Sequence, residues 1–369
     1  MRSGHNSVAT EARKGEGYSS FLRVSAAILL FPFVMGFPTT YAKDSDCLLT
    51  ETCLHASYSD TISFTRSVIY GDTEEILIGE IQAVSVDDEG RVFLADKNNV
   101  TIHVYNPEGT YNKTIGRQGR GPGEFLRMTP ITQIAAYKNS LFISGTDGML
   151  SIVNVHHFSL DDLSLSESVI LQNEMNKKFD SKLENYLPTT IYPMDDGTLL
   201  VAYTHIRSPA YFLQNEHMIR YYQLSMDGEI LKGPVLELPE QAILHRFHEG
   251  RGYIYYSFPF FNKPLLTVSD DHIYFVNSSQ FKINVYNRDG TPIREIEHSI
   301  DKVPTTLNEL IQLYEKMDMS RLDYYTGENA AVRMIQDADN LPNFWPALNN
   351  ILVDDENRIW ASTFVEDFD

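Results

Sequence analysis

The chain has 369 residues, 43% of them hydrophobic and 12% aromatic, and a formal charge of −20. This content excludes a mostly disordered chain and favours a folded protein rich in strands. The acidity repels nucleic acid and anionic membrane surfaces, so neither is expected as a partner.

The first signal lies at the amino terminus. Arg13, Lys14 and Arg23 precede an apolar run, VSAAILLFPFVMGF (24–37), and Thr40-Tyr41-Ala42 then places small residues where a signal peptidase reads them. Residues 1–42 are expected to be a signal peptide cleaved after Ala42, giving a secreted or periplasmic protein. The run is short for a span and is broken by Pro32, so no membrane span is expected after cleavage. A leader follows at 43–60, holding the only two cysteines, Cys47 and Cys53. An oxidising compartment would allow them to close a small loop, and the alternative is two free thiols.

From there one pattern returns along the chain. A turn of Asp, Gly or Asn leads into a short β-branched or aromatic strand at VDDEGRVFLAD (86–96), AYKNSLFISG (136–145), MDDGTLLVAY (194–203), VSDDHIYFVN (268–277) and VDDENRIWAS (353–362). Each copy is preceded by an apolar strand and reads as an antiparallel hairpin. Second hairpins follow at HVYNPEGTYNKTIG (103–116), YYQLSMDGEILKG (221–233) and NVYNRDGTPIREI (284–296). Two hairpins in series make a four-stranded meander, the unit of a β-propeller blade. The expected fold class is therefore an all-β propeller over residues 61–369. Its one helical insertion is expected near 306–319, where Thr306-Leu307-Asn308-Glu309 fits a capping box.

Between the first two blades lies GRQGRGPGEF (116–125). It has no Lys-Ser/Thr to complete a P-loop, and Pro122 and Pro130 oppose the helix that a dinucleotide fingerprint needs. It reads instead as a crossing from the outer strand of one blade to the inner strand of the next, with Phe125 plugging the space between them. On these residues, most specifically over 81–125, the sequence resembles the six-bladed propellers of the NHL-repeat and TolB-like families. The resemblance implies a fold and an exported habit, and it leaves the function open. Five inner hairpins are recognised and the last ends seven residues before the carboxyl terminus. The chain is thus expected to be truncated relative to that family, with an incomplete last blade or a five-bladed ring as alternatives. The stretch ISFTRSVIY (62–70) is expected to supply a closing outer strand.

Propeller ligands gather where loops of successive blades converge. Residues just after each second strand hold equivalent places, and Asp96, Lys97, Thr146, Asp147, His205, Arg207, Asn277, Ser278 and Thr363 are the candidate ligand-binding set. Arg117 and Arg120 are candidates for an anion, or for pairing with neighbouring acids such as Glu124. No Asp-x-Asp-x-Asp loop and no His-x-x-x-His is present, and adjacent His156 and His157 would face opposite sides of a strand. The segment GRGYIYYSFPFFN (250–262) would stack sugars if exposed, and is read as a buried strand. The expected function is a non-catalytic binding module for a peptide, glycan or protein, without a cofactor. The alternative is a calcium-dependent lactonase-like hydrolase or lyase on the same scaffold, with Asp96, Asp147, His205 and Asn277 at the channel.

Overall fold

The five repeated turns of the sequence join the first and second strands of five sheets. They are seen in a computed structural model that describes residues 67–363 apart from 75, 120, 126–130, 148–151, 173–180, 215, 251, 271, 317–329 and 355. The repeat owes its spelling to one turn geometry. Asp87 Oδ1 accepts the N–H groups of Glu89 and Arg91 while Oδ2 holds Arg91 Nε at 2.6 Å. In the last copy Asp354 does the same for Glu356 and Arg358. Gly90 at φ +78° and Asn357 at φ +60° supply the left-handed residue that this turn requires.

Blade 1 contains β1 (Ile81–Val86), β2 (Val92–Asp96), β3 (Thr101–Tyr105) and β4 (Tyr111–Ile115). Two short strands, β5 (Arg117–Gln118) and β6 (Glu124–Phe125), pair in the linker that follows. Blade 2 is β7 (Ile131–Tyr137), β8 (Ser140–Asp147), β9 (Ile152–Ser159) and β10 (Leu165–Gln172). Blade 3 is β11 (Tyr186–Pro193), β12 (Leu199–His205), β13 (Met218–Leu224) and β14 (Ile230–Pro239). A separate hairpin, β15 (Leu244–His248) and β16 (Gly252–Tyr256), precedes blade 4, which is β17 (Pro264–Ser269), β18 (His272–Asn277), β19 (Lys282–Asn287) and β20 (Pro292–Glu297). Helices α1 (Leu307–Lys316) and α2 (Ala330–Gln336) lead to the two-stranded fifth sheet, β21 (Leu348–Val353) and β22 (Ile359–Thr363). All sheet pairing within the blades is antiparallel and in sequence order.

The cores lie between blades. Phe93, Ile102 and Ile115 of blade 1 meet Ile134, Leu141 and Ile143 of blade 2. Leu171 and Phe142 meet Val201 and Tyr222 of blade 3, whose other face packs Leu200 and Tyr221 on Ile273 and Phe275 of blade 4. Val276 and Ile283 then meet Leu348 and Ile351 of the fifth sheet. This is why most blade strands lack the polar-apolar alternation of a sheet with one wet face: both faces are covered, and all five residues of β2 are buried.

The linker behaves as architecture. Phe125 is 4% exposed and belongs to the core between blades 1 and 2. Gly116 sits at φ +71°, and a Cβ there would stand 2.2 Å from the Phe125 ring. The loop's own Glu124 fills the cradle: its carboxylate takes Gly121 N–H at 2.8 Å and Arg117 Nε at 2.7 Å.

Two expectations change. Residues 67–70 do not form a strand. Tyr70 and Ile78 instead lie on the apolar face of blade 1 formed by Val92, Leu94 and Tyr105, and the Tyr70 hydroxyl donates to Pro107 O at 2.7 Å. Covering that face removes its apolar surface from water. The helix starts as its capping box predicts, with Glu309 N–H on Thr306 Oγ1 and Thr306 N–H on Glu309 Oε2, but it has a partner in α2. Together with β15, β16 and residues 258–261 the helices form a satellite core around Phe258, Phe260, Tyr314, Met334 and Trp345. Cys47, Cys53 and the segment 1–66 lie outside the described residues.

Candidate ligand-binding site

Because strands alternate in direction, the end of every second strand falls on the same rim of the propeller. That rim also carries the linkers from each outer strand to the next blade. In blade 3 the pairing Met218↔Pro239 sets the entry of β13 beside the exit of β14, and Glu240 N–H donates to His217 O at 2.8 Å. His205, the loop 206–217 and Glu240 are therefore brought together.

Glu240 is the centre of this group. Its side chain is 8% exposed, the Tyr211 hydroxyl donates to Oε2 at 3.3 Å, and Arg207 Nη2 lies 3.4 Å from Oε1. Burial raises its pKa and outweighs the opposing pull of Arg207. The Tyr211 hydroxyl is pushed up to about 12 by burial, then by the Glu240 charge. The Tyr211 ring stacks on His217 with centroids 3.5 Å apart. Burial lowers the His217 pKa, with the charges of His205, His245 and Arg207 adding to it. The His205 ring is held by Nδ1 against Ile206 O at 2.7 Å and rests 5.0 Å from the Tyr186 ring.

The hairpin of β15 and β16 stands next to this group. Its pairs His245↔Tyr255 and Phe247↔Tyr253 put four rings on one face, while Leu244 and Tyr256 enter the satellite core on the other. Phe212 from the blade 3 loop stacks on Tyr253 with centroids 4.6 Å apart, and the Arg207 guanidinium lies 4.7 Å above the Tyr255 ring. Phe247 remains 63% exposed and Tyr255 40%. On the ribbon's other side, between β15 and the end of α2, a cleft of about 390 Å³ is bounded by Leu244, His245, Arg246, Met334 and Asp337. Of the segment read as a buried strand, 252–256 is thus buried on one side only, whereas Phe258, Phe260 and Phe261 are buried as expected.

Of the residues singled out in the sequence, the structure brings His205 and Arg207 into this site. Asp96 is fully buried. Burial pushes its pKa up, but hydrogen bonds from Gly79, Asn99 and Glu80 bring it below the ordinary value. Its carboxylate thereby fastens segment 77–80 to the end of β2. Lys97 pairs at 2.7 Å with Glu80 on the surface. Ser278, also fully buried, links Lys263 to the fifth sheet: its Oγ accepts Lys263 N–H and its carbonyl accepts Leu348 N–H. Asn277 Oδ1 caps Ser279 N–H, and Thr363 is exposed at the end of β22. Thr146 and Asp147 end β8, and their side chains lie outside the described residues, as does Arg120. Arg117 is on Glu124. His156 and His157 face opposite sides, on Ser168 and Ser140. Among the described residues no three His, Cys, Asp or Glu side chains come together as a metal-binding group, and no helix is long and apolar enough to cross a membrane.

Tyr211, His217 and Glu240 were not singled out from the sequence. The one signal that could have found them is the antiparallel pairing of β13 with β14, which folds residues 217 and 240 together.

Residues 55–263 match the family model described as 6-bladed beta-propeller. No curated protein matches the chain. Solved structures with a similar fold include a Bacteroides fragilis protein described as exported, 11% identical over 75% of this chain and 92% of that one, TM-score 0.33. Virginiamycin B lyase from Staphylococcus aureus is 13% identical over 61% of this chain and 70% of that one, TM-score 0.30. A protein of unknown function from Bacteroides caccae is 7% identical over 62% of this chain and 68% of that one, TM-score 0.33.

Proposed function

The chain belongs to the 6-bladed beta-propeller family, and from that premise we propose that it is an exported, non-catalytic binding module that takes its ligand on the blade 3 rim. Within the family's breadth we place it with the NHL-repeat and TolB-like propellers, on the strength of the GRQGRGPGEF linker. Export rests on the basic residues, apolar run and Thr40-Tyr41-Ala42 of the amino terminus.

The observation that carries the reading is the group of Arg207, Tyr211 and Glu240 set against rings that remain exposed. Aromatic surface with a few fixed polar groups at its edge is the usual make-up of a recognition site. The polar atoms hold one another: Arg207 and Tyr211 both point at Glu240, and His205 Nδ1 is tied to its own backbone. Such an arrangement orients side chains for contact with a ligand.

The test is the melting temperature of the exported protein against a panel of saccharides, short peptides, small carboxylates and calcium, since a ligand selective for the native state must raise it. A rise for wild type that Arg207→Ala removes supports the reading. A rise with calcium that EDTA reverses, and that Arg207→Ala leaves alone, contradicts it in favour of the hydrolase or lyase alternative.

A further inference from the structure

We infer that residues 206–217 form a strap over rings of the β15–β16 hairpin, and that protonation of His217 releases it. The inference concerns regulation of the rim described above, and it rests on the binding-module reading only in giving that rim a ligand to admit.

The strap is fixed by backbone at its two ends and by side chains between them. At one end Ile206 N–H donates to Asn185 O at 2.6 Å, and at the other His217 O accepts Glu240 N–H at 2.8 Å. Among the described residues the backbone hydrogen bonds between these points are local, Tyr211 N–H on Ser208 O and Gln214 N–H on Tyr211 O among them. The middle is fastened by Arg207 and Tyr211 on Glu240, by the Tyr211 ring on His217 and by the Phe212 ring on Tyr253. A segment held this way lifts about its ends without breaking a sheet ladder. Lifting it bares the Tyr253 and Tyr255 rings, over which Phe212 and Arg207 lie.

His217 is where acid acts on this arrangement. Its ring lies on the Tyr211 ring at 3.5 Å, and its Nδ1 is buried with no hydrogen-bond partner. A neutral imidazole carries one proton and leaves the other nitrogen bare, whereas the protonated ring has a donor at both. Protonation therefore places a donor at a buried nitrogen that nothing accepts from, which is costly.

The surroundings oppose the charge as well. Burial does so first, and then the groups that face the ring: His205 from β12, His245 from β15 and Arg207 from the strap itself, all of one sign. Glu240, at the end of β14, faces Arg207, Tyr211 and His205 instead. Tyr186 of β11 lies against His205, with the Arg220 guanidinium 4.4 Å above its ring. The Tyr211 face attracts a cation, but burial and the like charges outweigh it. Lifting the strap takes Tyr211 off the imidazole and lets water reach both nitrogens. The open state thus binds the proton more tightly than the closed one, and it is populated as pH falls.

The experiment is hydroxyl-radical footprinting of the full chain at about pH 7.5 and about pH 5.5, on either side of the ordinary histidine range. It is read by mass spectrometry at single residues and scaled to Phe247, which is 63% exposed. Tyr211 and Phe212, at 1% and 7% exposed, are expected to be modified at least threefold faster at the lower pH, while the buried Phe93 and Tyr222 of blades 1 and 3 stay unchanged. His217→Gln and His217→Phe, neither of which takes up a proton there, are expected to lose the rise, and the wild-type melting temperature at the higher pH shows which of them keeps the fold. His156→Gln, which removes a buried ring from blade 2, is expected to retain it. No rise in the wild type, a rise shared by Phe93 and Tyr222, a rise that survives in both His217 variants, or one lost equally in His156→Gln overturns the strap. Failure of every ligand to stabilise the protein sinks the binding module and leaves the strap standing, whereas a footprint indifferent to pH does the reverse.

Discussion

Two glycine-rich stretches begin alike and end in opposite roles. GRQGRGPGEF opens like a phosphate loop, yet its Gly121 N–H and Arg117 close on Glu124 and its phenylalanine is buried between two blades. GRGYIYYSFPFF reads like a core strand, yet one side of it faces outward with Tyr255 exposed. The difference is what lies across from each. The linker must bridge two blades that are already packed, so its one large apolar side chain has a hole waiting. The hairpin lies outside the succession of blades: the face turned to α1 and α2 is packed, while the other is covered only in part, by Phe212 and Arg207. Glycine content and aromatic spacing do not separate these cases, whereas neighbours do.

The comparison is broken most forcefully at the linker. Phe125→Ala should cost about 3–5 kcal/mol, as for other fully packed Phe truncations, and be seen as a large fall in the denaturation midpoint. If the midpoint hardly moves, the linker does not hold blades 1 and 2 together. Gly116→Ala comes next, at roughly 2–4 kcal/mol, because a Cβ meets the Phe125 ring and the residue has φ +71°. Combining it with Phe125→Ala should be less than additive, since the truncated ring no longer clashes. At the hairpin the expectation reverses. Phe247→Ala should change stability by no more than about 0.5 kcal/mol while removing ligand affinity, whereas Phe258→Ala, on the buried side, should cost about 3–5 kcal/mol.

Acid sharpens the contrast more gently. Burial holds His156, His157 and His217 below their ordinary 6.5. The unfolded chain then binds protons that the folded one refuses, so their contribution is present above pH 6.5 and is lost as pH falls below it. Glu240 has the opposite sign: its raised pKa gives a contribution complete below its ordinary 4.5 and lost as pH rises through the folded value. As pH falls from 7 to 5.5 the three histidines should lower the melting temperature. His156→Gln, which removes the most buried of these rings, should flatten that fall, and an unchanged slope would show that its burial is not coupled to protonation.

Much of the fold is legible in the chain because its causes are local. The Asp turn at 87–91 recurs at 354–358 with the same hydrogen bonds, and the capping box at Thr306 sets the start of α1. The succession of inner hairpins follows from those turns. The site is less legible because its causes are distant. His205 and Arg207 stand out as residues just past a second strand, but the same rule also selects Asp96 and Ser278, whose atoms are fully engaged in tying segments together. No local pattern distinguishes them. Glu240 matters only because β14 returns to the mouth of β13, and α2 escaped notice because its seven residues gain their stability from packing on the hairpin.

The most direct test of the account is hydrogen exchange on the full chain with and without a ligand that raises its melting temperature. Slowed exchange confined to residues 205–217 and 244–256 is the predicted result. Protection centred on another blade's rim, or no protection at these residues under saturating ligand, would contradict it.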